Sequence, residues 1–117
     1  MNYVKHKEKL YPCPVSFAMD LVGGKWKAVI LYYLKDGKKR YNELHKEMHT
    51  VTEMTLSLQL KKLAKDGLIT RKVYGKKPPI KVVYDLTEFG KTLIPVLQAL
   101  NEWGKQVTVE KGEFINK

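Results

Sequence analysis

Apolar residues recur at the spacing of an α-helix in four successive segments before Asp66. Three of these segments end at turns that contain glycine, at residues 23–24, 36–37 and 66–67. The apolar positions are Val15, Ala18, Leu21 and Val22; Trp26, Val29, Ile30, Tyr33 and Leu34; Tyr41, Leu44 and Met48; and Leu56, Leu60 and Leu63. This part of the chain is therefore predicted to be helical, with one buried face in each helix.

The third and fourth predicted helices are separated by only a few residues. Thr50 and Thr52 both suit the N-cap of the fourth helix, and Thr50 has the capping-box spacing to Glu53. Two short helices joined in this way are typical of a helix–turn–helix, which the sequence places at residues 41–67. In that motif the second helix enters the major groove of DNA.

The period changes to that of a β-strand after Gly67. Two strands are predicted, joined by a basic, proline-stiffened loop at residues 75–79. Their alternating positions are Ile69, Arg71 and Val73 in the first strand and Val82, Tyr84 and Leu86 in the second. A hairpin directly after a helix–turn–helix is a wing, here residues 68–87. The predicted fold class is mainly α with a small antiparallel β-wing (α+β), a winged helix–turn–helix.

A last helix is predicted at residues 88–110, capped by Thr87. Pro95 lies beyond its first turn, which predicts a kink or a broken turn there. One broad side of the helix is apolar, and its members are Phe89, Leu93, Val96, Leu97, Leu100, Trp103 and Val107. Because so apolar a helix in a small domain generally needs a partner, the sequence predicts a homodimer.

The charge balance indicates the kind of partner. The chain of 117 residues has 22 Lys and Arg against 12 Asp and Glu, a formal net charge of +10, which favours nucleic acid. Only Arg40 and Arg71 are arginines, so most of the positive charge is expected to serve phosphates and not guanine edges. One domain is expected over residues 1–117, with a polar arm at residues 1–12.

Other classes of protein are not favoured by the sequence. The single cysteine, Cys13, excludes an intrachain disulfide, and no signal peptide or membrane-spanning run is evident, so a cytoplasmic location without membrane contact is expected. No cofactor loop or nucleophile–base pair is found, so neither a cofactor nor enzymatic activity is expected. His45 and His49 flank Glu47, but a third ligand is missing, so no metal site is predicted and both histidines are interpreted as exposed.

Short motifs follow one another in a specific order from Cys13 to Gly104. They are Cys13-Pro14-Val15, Gly23-Gly24-Lys25-Trp26-Lys27, Arg40-Tyr41-Asn42-Glu43-Leu44, Leu56 to Leu63 with Asp66-Gly67-Leu68-Ile69, Pro78-Pro79, Tyr84-Asp85-Leu86-Thr87 with Gly90, and Leu100-Asn101-Glu102-Trp103-Gly104. Together they resemble the HxlR-type branch of the MarR-like winged-helix regulators. The usual Pro-Pro-x-Val-Glu-Tyr of that family is one residue longer here and lacks the glutamate, which affects the expected tip of the wing.

The resemblance implies a bacterial, dimeric, DNA-binding regulator of transcription. It implies that the first and last helices, residues 13–23 and 88–110, form the dimer, and that the N-terminal cysteine senses oxidants or electrophiles in several members. The dimer-interface candidates are Val15, Ala18, Leu93, Leu97, Leu100 and Trp103. Cys13 is a candidate redox sensor because a helix N-terminus and nearby lysines favour the thiolate. An inert small side chain in the interface is the alternative.

Candidate DNA contacts lie opposite the leucine stripe of the fourth helix and on the wing. Those on the helix are Thr52, Met54, Thr55, Ser57, Leu58, Lys61, Lys62 and Lys65. Those expected at the DNA backbone are Lys72, Lys76, Lys77, Lys81 and Arg40, with Lys25, Lys38 and Lys39 as weaker candidates. The predicted function is sequence-specific regulation, most simply repression, at a roughly palindromic double-stranded operator, with the effector left open. The alternative is an architectural or RNA-binding winged-helix module.

Overall fold

The computed structural model describes residues 3–115, which form short strands and helices that mostly follow one another in pairs. The strands are β1 (Val4–His6), β2 (Lys9–Tyr11), β3 (Lys39–Arg40), β4 (Ile69–Tyr74) and β5 (Lys81–Leu86). The helices are α1 (Pro14–Val22), α2 (Lys27–Tyr33), α3 (Tyr41–Glu47), α4 (Glu53–Lys65), α5 (Glu88–Lys91) and α6 (Ile94–Lys111). The predicted fold class, mainly helical with a small antiparallel sheet, is confirmed.

The core lies where α2, α4 and the sheet meet. Ile30 and Leu31 of α2 are fully buried, as are Leu56 and Leu63 of α4, and Leu60 is nearly so. Each such side chain contributes about 1.5–3 kcal/mol relative to leaving it in water. The predicted leucine stripe of α4 is therefore confirmed as its buried face. Within residues 3–115 the fully enclosed positions are all apolar.

A side-chain cap fixes the start of α4. The Thr52 hydroxyl accepts a hydrogen bond from the Thr55 amide at 3.1 Å, so Thr52 is the N-cap and Thr50 is not. The preceding turn is held to α3, because Nε2 of His45 lies 3.0 Å from the carbonyl oxygen of Val51. His45 is half-buried, so its expected exposure is wrong; His49 is exposed as predicted.

The wing is part of a three-stranded antiparallel sheet with the order β3-β5-β4. Arg71 pairs with Tyr84 across β4 and β5, and Arg40 pairs with Val83 across β3 and β5. The strand β3 was not predicted. Because it pairs with the central strand, it attaches the segment before α3 to the base of the wing.

The N-terminal residues form a second structure that the sequence did not predict. In place of the expected polar arm, β1 and β2 make an antiparallel hairpin that packs on α1. The Tyr11 hydroxyl donates to Oδ2 of Asp20 on α1 at 2.6 Å, and the Tyr11 ring lies 5.0 Å from that of Phe17. Residues 1 and 2 of the predicted arm lie outside the described residues.

The C-terminal helix is broken at the predicted place. The chain leaves α5 at Lys91 and begins α6 at Ile94, with Pro95 in the first turn of α6, where its missing amide hydrogen costs no hydrogen bond. Leu97 requires a correction. It is only 2% exposed and belongs to the core, so it is unavailable to a dimer interface. Leu93 is half-buried against the same core.

Candidate nucleic-acid interface

The outer face of α4 is exposed along its whole length. Met54 is 83% exposed and Leu58 is 48% exposed, although both are large apolar residues. Lys61, Lys62 and Lys65 continue the exposed surface toward the end of the helix. Exposed apolar groups beside lysines suit the edge of a base pair, where a thymine methyl is apolar and the flanking phosphates are charged.

The hydroxyl residues of α4 that were predicted to contact DNA differ in exposure and in hydrogen bonding. Thr52 is exposed, but its hydroxyl accepts the capping hydrogen bond, and Thr55 is half-buried. Ser57 is exposed, and its Oγ lies 3.3 Å from the Tyr41 hydroxyl of α3. The Tyr41 hydroxyl also donates to the carbonyl oxygen of Glu53 at 3.3 Å. Tyr41 thereby holds the two helices of the motif together at the surface.

The wing presents its lysines to solvent. Every residue from Thr70 to Lys81 is exposed, including Lys72, Lys76, Lys77 and Lys81. Gly75 begins the loop with φ +95°, a conformation that residues other than glycine rarely adopt. The loop between the strands therefore carries its two central lysines at the end of a turned hairpin.

The lysines of α4 and the wing differ in ion pairing from several other lysines of the chain. In the described residues, the Lys–carboxylate pairs involve Lys9, Lys35, Lys39, Lys91 and Lys105. None of those lysines lies on α4, β4 or β5. Residues 54–84 contain eight basic residues and a single acidic one, Asp66. The helix and the wing thus form a strongly positive surface whose charges have no carboxylate partner within residues 3–115.

A groove with a volume of about 260 Å³ joins the two elements. Ser57 of α4 lines it on one side, and Arg71 and Lys81 of the wing line it on another. Arg40, at the start of α3, lines it as well, so both arginines of the chain are among the residues that line this groove. Arg71 was not among the predicted contacts. Its position near Arg40 depends on the pairing of β3 with β5, and β3 has only two residues, too few for the sequence to predict a strand.

The candidate dimer residues on α1 and α6 are mostly exposed. Val15 and Ala18 lie on the surface of α1, a helix without any buried residue. On α6, Leu100 is 51% exposed and Trp103 is 64% exposed. Val96 and Met19 extend these two apolar surfaces. An apolar groove of about 390 Å³ lies between α2 and α6, and Leu100 forms part of its lining.

Cys13 is the N-cap of α1 and is half-buried. Its backbone is extended, and its carbonyl oxygen accepts a hydrogen bond from the Phe17 amide at 3.2 Å. The residue lies between the end of β2 at Tyr11 and the start of α1 at Pro14.

The α3–α4 unit, the adjoining wing and their shared positive surface define a winged helix–turn–helix. The model of the HxlR-like helix-turn-helix family matches residues 21–111, and the chain belongs to that family. It is 45% identical over 106 residues to the uncharacterized HTH-type transcriptional regulator YybR of Bacillus subtilis, covering 87% of this chain and 84% of the relative. It is 51% identical over 94 residues to YdeP of the same organism, covering 80% and 73%.

A solved structure gives the same result. The redox regulator HypR in its oxidised form is 47% identical, with a TM-score of 0.75, covering 80% of this chain and 96% of that chain. The chain is therefore a transcriptional regulator of the helix–turn–helix type, a class of regulators and not of enzymes. In the part of the chain that the structure describes, no helix has the length and apolar character needed to cross a membrane.

Proposed function

We propose that the protein binds double-stranded DNA sequence-specifically, with α4 in the major groove and the wing on the flanking backbone, and acts as a repressor. The observation that carries this proposal is the charge of residues 54–84, which hold eight basic residues, one acidic residue and no described ion pair. Unpaired cations replace counterions on DNA phosphates, which favours binding. Because the ligand is DNA, we also infer a cytoplasmic site of action.

The two elements are assigned different tasks. Thr55, Ser57 and Leu58 lie on the N-terminal half of α4, the part of a recognition helix that meets base edges. The wing lysines and those at the end of α4 lack the planar fork that reads guanine, and they suit phosphates. Sequence preference therefore comes from α4, and affinity for any duplex comes mainly from the lysines.

We infer that the functional unit is a homodimer formed through α1 and α6. A nine-residue helix is marginal in water without tertiary packing, and no residue of α1 is fully buried within one chain. The exposed apolar side chains of α1 and α6 require a partner to leave water. A second copy supplies the matching surface by symmetry, and it presents two α4 helices to a two-fold operator.

A second, narrower proposal is that oxidation of Cys13 controls DNA binding. Its position at the start of α1 and the 47% identity to the redox regulator HypR support it. Hydrogen peroxide would oxidise the Cys13 thiols of two subunits to one disulfide, forming two molecules of water. In the other route peroxide oxidises one Cys13 thiol together with one low-molecular-weight thiol to a mixed disulfide, again forming two molecules of water. Either product moves α1 and, through the dimer, the spacing of the two α4 helices.

Selection of fragments from genomic DNA, followed by footprinting, tests the main proposal. We expect enrichment of promoter sites with two-fold symmetry and two protected half-sites about one helical turn, or a multiple, apart. Lys61→Gln on α4 should weaken binding, and Lys105→Gln, an ion-paired lysine of α6, serves as its matched control. Uniform recovery of the genome would favour an architectural module, and failure to retain duplex would refute DNA binding.

The same selection run with reduced and peroxide-treated protein tests the cysteine. We expect the oxidised parent to lose operator binding and to recover it when the thiol is restored. Cys13→Ser should keep binding under both conditions. Release of operator by peroxide to the same extent in Cys13→Ser and in the parent would refute the redox proposal and leave DNA binding standing.

A further inference from the structure

The groove between α4 and the base of the wing contains both arginines of a chain whose other basic residues are all lysines. Arg40 lies on β3 and Arg71 on β4, and the central strand β5 separates them. They pair with Val83 and Tyr84, successive residues of β5, so their backbones are about 10 Å apart, two strand spacings. Successive strand residues have side chains on opposite faces of the sheet, so it is the lining of the groove, which includes both arginines, and not the strand register that relates them.

The lining of this groove suits an anion. It includes Arg40, Arg71 and Lys81 and no acidic residue. None of the ion pairs or side-chain hydrogen bonds found within residues 3–115 involves the guanidinium of Arg40 or Arg71. The hydroxyl groups of Tyr41 and Ser57, which lie within hydrogen-bond distance of each other, add neutral polar atoms at the wall formed by the helices. A planar guanidinium binds a phosphate through two parallel hydrogen bonds, which a lysine cannot do.

We propose that this groove is a phosphate clamp, in which Arg40 and Arg71 together bind one DNA backbone phosphate, or two adjacent phosphates of one strand, between the recognition helix and the wing. The proposal rests on the proposed function, because the phosphate belongs to bound DNA. It adds that one short stretch of the DNA backbone fixes how deeply α4 enters the major groove. Ser57 of α4 lines the clamp. The position of the clamped phosphate therefore determines which bases the neighbouring residues of α4 meet.

Operators carrying one neutral methylphosphonate at a time test the clamp. With the parent protein, one or two adjacent positions per half-site should each weaken binding about tenfold, the loss of a charge-assisted hydrogen bond. With Arg40→Met or Arg71→Met, binding to the unmodified operator should fall by about the same factor. The methylphosphonate at that position should then cause little further loss, because the partner of the phosphate is already missing.

Two further variants sharpen the test. Arg71→Lys keeps the charge and removes the fork, so we expect it to recover only part of the lost affinity. Lys105→Met, on α6, removes an ion-paired lysine and should leave the methylphosphonate profile unchanged. Because both arginine side chains are exposed, the variants should melt within a few degrees of the parent, and this measurement establishes that they are folded.

The results separate the clamp from the function on which it rests. Loss of methylphosphonate sensitivity at the same or adjacent phosphates in both arginine variants supports the clamp. Sensitivity lost at distant phosphates, on opposite strands, or not at all would overturn it, while specific operator binding by the parent would stand. A parent protein that binds no duplex would refute the proposed function itself.

Discussion

The Tyr41 hydroxyl on α3 lies 3.3 Å from Oγ of Ser57 on α4 and donates to the carbonyl oxygen of Glu53 at the same distance. One phenol thus joins the first helix of the motif to the beginning of the second. This contact adds to the packing of Leu44 of α3 and Leu56 of α4 in the core. The side chain also lines the groove that contains the two arginines.

Replacing Tyr41 by Phe should therefore weaken both folding and operator recognition. The ring is kept and only the hydroxyl is lost, so the free energy of unfolding should fall by about 0.5–1.5 kcal/mol. Urea unfolding measures this change. Tyr74→Phe is the control, because Tyr74 is exposed on β4 and its hydroxyl makes no described hydrogen bond. Equal losses in the two variants would contradict a specific role for the Tyr41 hydroxyl.

Capping of α4 gives a prediction whose control, Thr50, lies two residues before the N-cap Thr52. Thr52→Ala removes the oxygen that accepts the Thr55 amide and should lower the free energy of unfolding by about 1 kcal/mol. Thr50→Ala should change it by less than about 0.5 kcal/mol, since the Thr50 side chain is exposed and does not cap the helix. A larger effect at Thr50 than at Thr52 would show that the capping box of the sequence pattern operates in solution.

The wing lysines are expected to act on phosphates without regard to sequence. Each neutralised lysine removes one phosphate contact per subunit, so Lys76→Gln should reduce the slope of log affinity against log salt by about two per dimer. Lys77→Gln should do the same. Affinities measured from low to moderate salt, on operator and on random duplex, provide the test. A loss confined to the operator would assign the wing to base reading instead.

The Tyr11–Asp20 contact predicts a pH dependence of the N-terminal hairpin. The hydrogen bond from Tyr11, followed by the charge of Lys9, lowers the pKa of Asp20 from its ordinary 3.8. The hydrogen bond to Asp20 raises the pKa of Tyr11 from 10.0. The stabilisation that Asp20 contributes is fully present above pH 3.8 and is lost as the pH falls through its lowered pKa. The stabilisation that Tyr11 contributes is fully present below pH 10.0 and is lost as the pH rises through its raised pKa.

NMR titration of the Asp20 carboxyl tests this assignment. We expect its midpoint below 3.8 in the parent, a clear upward shift in Tyr11→Phe, and a smaller one in Lys9→Met, following the order of the two causes. A parent midpoint at or above 3.8 would mean that the hairpin does not pack on α1 in solution.

The regular spacing of apolar residues made much of this fold predictable from the sequence. The buried face of α4 follows from leucines three and four residues apart, since a helix repeats every 3.6 residues. The break at Pro95 follows from its missing amide hydrogen. Leu97 was misassigned because the apolar side of the last helix is broad. Periodicity then gives the amphipathic helix but not which part of its apolar side meets the core.

The elements that were not predicted from the sequence are short. The hairpin of β1 and β2 turns through Lys7 and Glu8, which have φ of +46° and +67° without the Asn or Gly that such turns favour. The strand β3 is two residues long, too short to display alternation. The Arg40–Arg71 groove follows from β3, and for that reason only the folded chain brings the two arginines together. The exposure of the predicted wing lysines does not depend on how the strands pair, because every residue of the loop is exposed.

The apolar surface of α6 leads to the last prediction, which concerns assembly. Trp103→Glu places a charge in a surface that would be buried between two copies, where an unpaired charge is strongly unfavourable. Light scattering should give about twice 13.6 kDa for the parent and 13.6 kDa for the variant. Gln106→Glu, an exposed polar position on the same helix, should remain dimeric. Operator affinity should fall with the dimer, because each subunit then binds one half-site alone. A parent of 13.6 kDa that still protects two half-sites would contradict a preformed dimer and assign pairing to the DNA.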